Sequence, residues 1–184
     1  LVPLVAGDTT VLQGEAKKNL THMWSADWSK HLKLKTGDLA AAAMINKLQS
    51  VGIKTMAHTS RPPWLEKITV DQLHSVSIDF SKHPVFETDI ALEPVGNKHG
   101  FVFSGGILMT DKNIKSKDPT SKGETLVSFF DQISYKPNSV IFIDDDCQNV
   151  KDVVKTLQSK QIPVVGLWYR AYEKIYPIFG TEAF

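Results

Sequence analysis

The chain has 184 residues, 42% of them hydrophobic, which is enough for one well-packed domain. A net charge of +1 removes any bulk electrostatic case for nucleic acid or an anionic membrane surface, and no apolar run approaches the ~18 residues that suggest a membrane span. The single cysteine, Cys147, excludes an internal disulfide and a Cys-rich zinc site and fits a reducing compartment.

No signal peptide is visible, and the first residue is Leu rather than Met, which reads as a processed or trimmed form. Leu1 to Val5 is apolar and strand-like, although Pro3 is awkward in a central strand. Ala6-Gly7-Asp8-Thr9-Thr10 reads as a turn. From about Gly14 to Lys35, Leu20, Met23, Trp24, Trp28 and Leu32 recur at spacings that suit an amphipathic helix. The two tryptophans are read there as packing residues. Thr36-Gly37-Asp38 is a helix start, and Leu39 to Gln49 is the clearest helix of the chain, ended by Gly52.

Ile53 to Ala57 predicts a short strand that runs out into His58-Thr59-Ser60-Arg61-Pro62-Pro63, where the prolines delay the next helix. That helix is predicted from about Leu65 to Val76, and Ser77 to Phe80 resembles a short strand. Residues 81–99 have no firm period. Phe101 to Thr110 reads as two strands around Gly105-Gly106, a hairpin signal. Asp111 to Ser121 is a lysine-rich loop. Lys122-Gly123-Glu124 opens a helix through about Ile133.

Val140 to Ile143 is an apolar run of β-formers, the pattern of a strand buried on both faces of a parallel sheet. It stops at Asp144-Asp145-Asp146. A helix follows from about Asn149 to Ser159, then a strand from Pro163 to Leu167 and an aromatic tail. Ligands of open α/β sheets bind outside the carboxyl ends of the strands, where these carboxylates would sit. Adjacent carboxylates repel unless a cation is present, and Mg²⁺ favours one or two carboxylates with water and phosphate oxygens. A metal and phosphate site is one reading of the triplet, and a solvated acidic turn capping the next helix is the other.

Alternating helices and strands predict one α/β domain over residues 1–184 with a mostly parallel sheet. Thr59-Ser60, Lys122 and Asp144-Asp145 fall at the same edge of that sheet. This ordered set resembles motifs two, three and four of the haloacid dehalogenase (HAD) superfamily. The wording Met-Ala-His-Thr-Ser-Arg, Gly-Ile-Leu-Met-Thr, Lys-Gly and Phe-Ile-Asp-Asp is similar to an uncharacterised bacterial HAD-like family of intracellular pathogens, which includes an effector phosphotyrosine phosphatase. The resemblance covers about Ala40 to Tyr169.

It implies a three-layer Rossmann-like sandwich with a small cap or none, any cap elements lying within residues 13–36 and 81–121. It also implies a Mg²⁺-dependent phosphomonoester hydrolase that works through an aspartyl-phosphate on a phosphorylated small molecule or phosphoprotein. Thr59 would bind a phosphoryl oxygen with help from Ser60, Arg61 would meet a substrate anion or pair at the surface, and Lys122 would neutralise developing charge. Asp144 and Asp145, with Asp8, would hold the metal, and Asp8 would be the acid/base. Asn149 would orient a metal-bound water or cap its helix. The first motif of the family, Asp-x-Asp-x-Thr or Val, is absent. Either Ala6-Gly7-Asp8-Thr9-Thr10 stands in its place with Ala6 at the nucleophile position, or the motif precedes Leu1. In the former case an inactive phosphate-binding or interaction module is the alternative. A response-regulator-like phosphoacceptor would need the acidic pair near the N-terminus, contrary to the order here. A cytoplasmic protein and a secreted effector acting in a host cytosol both fit.

Overall fold

The structure, a computed structural model, describes residues 40–92, 101–110 and 121–170. Four α-helices and six strands fall among the described residues: α1 (Ala41–Ser50), β1 (Ala57–Thr59), α2 (Glu66–Ser75), β2 (Ile90–Leu92), β3 (Phe101–Ser104), β4 (Ile107–Met109), α3 (Lys122–Gln132), β5 (Val140–Asp144), α4 (Cys147–Ser159) and β6 (Val164–Trp168). The protein is mixed α/β.

The strands form a four-stranded sheet in the order β1-β4-β3-β2 and a two-stranded sheet of β5 and β6. β1–β4 and β5–β6 are parallel, and β2–β3 and β3–β4 are antiparallel. The predicted mostly parallel sheet is therefore a mixed one among the described residues. The reason is the hairpin: Gly105 and Gly106 take φ +56° and +78°. Two consecutive positive φ angles are the signature of the tight turn that matches strand twist, and they oblige β3 and β4 to run antiparallel. A Cβ on Gly106 would run into the Phe80 carbonyl, so the position takes glycine for space as well as for angle.

β1 lies further along the chain than Ile53–Ala57. Its partner β4 offers hydrogen bonds only opposite Ala57, His58 and Thr59, which pair with Ile107, Leu108 and Met109. Thr59 thus closes the strand instead of following it. Pro63 opens a 3-10 turn, Pro63–Leu65, ahead of α2, where a missing N–H costs nothing. Ser77 to Phe80 is not a strand: Ser77 has φ +61° and Asp79 caps a 3-10 turn, Phe80–Lys82. β2 arises where no period was legible.

β5 alternates instead of being buried throughout. Phe142 and Asp144 face inward, while Ile141 and Ile143 are 69% and 54% exposed, which corrects the reading of a strand buried on both faces. α4 covers the inward side, and the absence of a side chain at Gly166 lets Val150 and Val154 lie directly on β6. One core joins both sheets through α3. Phe129 meets Phe103 at 4.6 Å and Phe101 edge-on at 5.7 Å, with Phe142, Val150, Val153 and Leu157 in the same cluster. That core fixes the carboxyl end of β5 relative to the start of α3.

Candidate functional site

The carboxyl ends of β1 and β5 open onto a cavity of about 440 Å³ lined by His58, Thr59, Lys122, Ile143, Asp144, Asp145 and Tyr169. Three of the residue groups singled out from sequence meet there, although they come from three different elements. Asp8 and Ala6 lie outside the described residues.

Lys122 is the pivot. Its Nζ donates to Asp144 Oδ2 at 2.6 Å and to the His58 carbonyl at 3.3 Å, with side-chain exposures of 10% for Lys122 and 7% for Asp144. Two of the three ammonium protons are engaged, and the third has no acceptor among the described residues. The helix start that carries Lys122 is held from outside. Ser121 caps α3 by accepting from the Glu124 N–H, and Asp152 of α4 accepts from Ser121 Oγ and from the Gly123 N–H at 2.8 Å. A Cβ on Gly123 would sit 2.7 Å from Thr156 Cβ, so only glycine lets the two helices close here.

Asp144 is the most heavily hydrogen-bonded carboxylate of the site. Besides Lys122, Oδ1 accepts from the Asp146 N–H at 2.9 Å and from Asn149 Nδ2 at 3.0 Å. Burial opposes its ionisation, but the bonds from Lys122, Asn149 and Asp146 outweigh it and hold the carboxyl below its usual range. Asn149 is not the helix cap. Asp146 is, accepting from the Gln148 N–H at 2.8 Å, and α4 begins at Cys147. Asn149 instead fixes the Asp144 carboxylate directly. Asp145 faces the cavity, exposed, and its carboxylate has no partner among the described residues.

Thr59 Oγ1 accepts from the Arg61 N–H at 3.1 Å, which aims the hydroxyl and leaves its proton free of acceptors among the described residues. Arg61 and Ser60 do not line the cavity. The Arg61 guanidinium donates to Thr69 Oγ1 at 3.2 Å and Gln72 Oε1 at 2.7 Å on α2, so it anchors that helix. His58 and Thr110 fall within the quoted motif wording but were given no role of their own, and Asp152 was not singled out from sequence. Burial, then the Lys122 charge, push the His58 imidazole down to about 3 against the opposing pull of Asp144.

No group of three or more His, Cys, Asp or Glu donors converges among the described residues. The free carboxylate of Asp145 and the remaining lone pair of Asp144 nonetheless suit Mg²⁺, which takes one or two carboxylates and fills the rest with water and phosphate.

An α/β domain with a hydroxyl, an ammonium and two carboxylates on one open cavity at its strand ends is the class that fold and geometry define. The chain belongs to DUF2608, a family of proteins of unknown function, which it matches over residues 12–183. It is similar to a Chlamydia trachomatis serovar D protein named "Putative outer membrane protein", 24% identical over 156 residues, 83% of this chain and 54% of that one. A Chlamydia pneumoniae protein of the same descriptive name is 26% identical over 137 residues, 74% of this chain and 47% of that one. The chain thus spans about half the length of these curated relatives. No solved structure matches it. No helix among the described residues is long and apolar enough to cross a membrane.

Proposed function

We propose that the chain is the catalytic or phosphate-binding part of a Mg²⁺-dependent phosphomonoester hydrolase of the HAD type, built on a three-layer Rossmann-like sandwich. The observation that carries this is the meeting of Thr59, Lys122, Asp144 and Asp145 on one cavity. The parallel β5-α4-β6 unit supports the sandwich. The resemblance of the motifs, in their order, supports the chemistry.

In this reading the Thr59 hydroxyl and the third Lys122 N–H donate to phosphoryl oxygens. Lys122 also keeps Asp144 ionised and in register. Asp144 and Asp145 would hold Mg²⁺, which when bound offsets repulsion between an anionic nucleophile and the phosphoryl group. A carboxylate attacks phosphorus, the bond to the leaving oxygen breaks, and Asp8 protonates that oxygen. Water then cleaves the aspartyl-phosphate, with Asp8 taking the proton. The cavity is open, which suits a phosphoryl group on a small molecule or on a protein. The Ala at position 6 favours a second reading, a phosphate-binding module that lacks the nucleophile.

The test is hydrolysis of p-nitrophenyl phosphate with Mg²⁺ by this chain, by Ala6→Asp and by the longer Chlamydia trachomatis relative. Activity gained by Ala6→Asp assigns the nucleophile to that position. Activity in the longer protein alone assigns it elsewhere. In whichever form is active, Lys122→Ala lowers kcat by about 10²–10³, the range for removing a group that stabilises developing charge. Activity that survives Lys122→Ala at full rate contradicts the reading.

A further inference from the structure

We propose that His58 is a positioning residue of this cavity, a neutral Nε2–H tautomer that holds the Thr59–Thr110 end of the sheet in place through the Thr110 hydroxyl. The role rests on the phosphate reading of the cavity and extends it to a residue that lies beside Thr59 in its motif but was given no role there.

The hydrogen-bond geometry around Thr110 favours this tautomer. Thr110 Oγ1 donates to the Thr59 carbonyl at 3.0 Å, so its proton is spent. His58 Nε2 lies 3.4 Å from the same Oγ1, which can therefore only accept. In this arrangement Nε2 carries the ring proton, and Nδ1 is left as a lone pair. Nδ1 is buried, with no partner among the described residues. The Thr59 carbonyl also accepts the Thr110 N–H at 3.0 Å. Thr110 is thus tied twice to Thr59 and once to His58.

The main chain of His58 joins the other half of the site. Its carbonyl accepts from Lys122 Nζ at 3.3 Å. One residue therefore reaches Lys122 through its backbone and, by way of the Thr110 hydroxyl, the Thr59 peptide through its ring. Thr59 is the hydroxyl assigned to the phosphoryl group, so a rotation of its peptide would re-aim that hydroxyl. An apolar side chain would fill the same space on β1 without an unsatisfied nitrogen, and the imidazole makes physical sense if its donor is used.

The experiment combines ¹⁵N NMR of the histidine ring with binding of inorganic phosphate in the presence of Mg²⁺, both on the full chain. Wild type is expected to show the Nε2–H tautomer of His58, and Thr110→Val to release it into a mixture. His58→Gln, whose amide can replace the Nε2 donor, is expected to keep phosphate affinity within about twofold. His58→Leu, folded by circular dichroism, is expected to lose about tenfold. An Nδ1–H or mixed tautomer in wild type overturns the proposal alone, whether or not phosphate binds. Wild-type affinity in His58→Leu overturns it too. No phosphate binding by wild type overturns the reading of the cavity and this role together.

Discussion

Lys122 and Asp144 meet at 2.6 Å with little of either side chain exposed, and such a pair costs most when one partner is removed. Lys122→Met is expected to destabilise the fold by about 3–5 kcal/mol, the range for a stranded buried charge. Lys122→Met/Asp144→Leu is expected to cost less than the single change, since neither charge is left alone. Urea denaturation of both variants checks the order. The pH dependence has two windows. His58 is held at about 3 in the folded protein against its ordinary 6.5, so between those values the unfolded chain binds the extra proton. Stability then falls as pH drops below 6.5, by up to ~1.4 kcal/mol per pH unit. The Asp144 contribution is complete above the ordinary carboxylate value near ~4 and is lost as pH falls through its depressed folded value. Urea midpoints at pH 7, 6 and 5 are expected to decline in wild type and to flatten in His58→Leu. Equal slopes would remove His58 from the account.

Among the elements, α3 and α4 decide where Lys122 points. Gly→Ala in a helix ordinarily gains ~1 kcal/mol, but at Gly123 the added Cβ meets Thr156. Gly123→Ala is therefore expected to destabilise by about 1–3 kcal/mol, as overpacking does, and to weaken phosphate binding by shifting Lys122. A stabilised Gly123→Ala protein would contradict the close approach of the helices. These elements also mark what a sequence reader can see. Gly105-Gly106 announced the hairpin because few other residues take two positive φ angles in a row. Asp144-Asp145 was legible because a run of β-formers ended in charge. Asp152 was not, since it caps a neighbouring helix and leaves no local signature. Arg61 stood beside the Thr59 hydroxyl in sequence, yet the 3-10 turn at Pro63 brings α2 back to take its guanidinium. β1 shifted because its bounds depend on what β4 offers, and β2, three residues without alternation, gave no pattern to read.

At the scale of the molecule, mixed α/β order was legible from alternating periods, while the antiparallel pairs come from the hairpin at Gly105-Gly106, which alternating periods do not register. The cavity stands at the carboxyl ends of β1 and β5, where the proposed function has it take a phosphoryl group beside Mg²⁺. A ¹H–¹⁵N NMR titration with inorganic phosphate and Mg²⁺ tests this most directly, since it needs no nucleophile. Saturable shifts are expected at Thr59, Lys122, Asp145 and Tyr169, abolished in Thr59→Val/Lys122→Met. Shifts confined to the second cavity, around Asn46, His74 and Lys82, or no shifts at all, would contradict it.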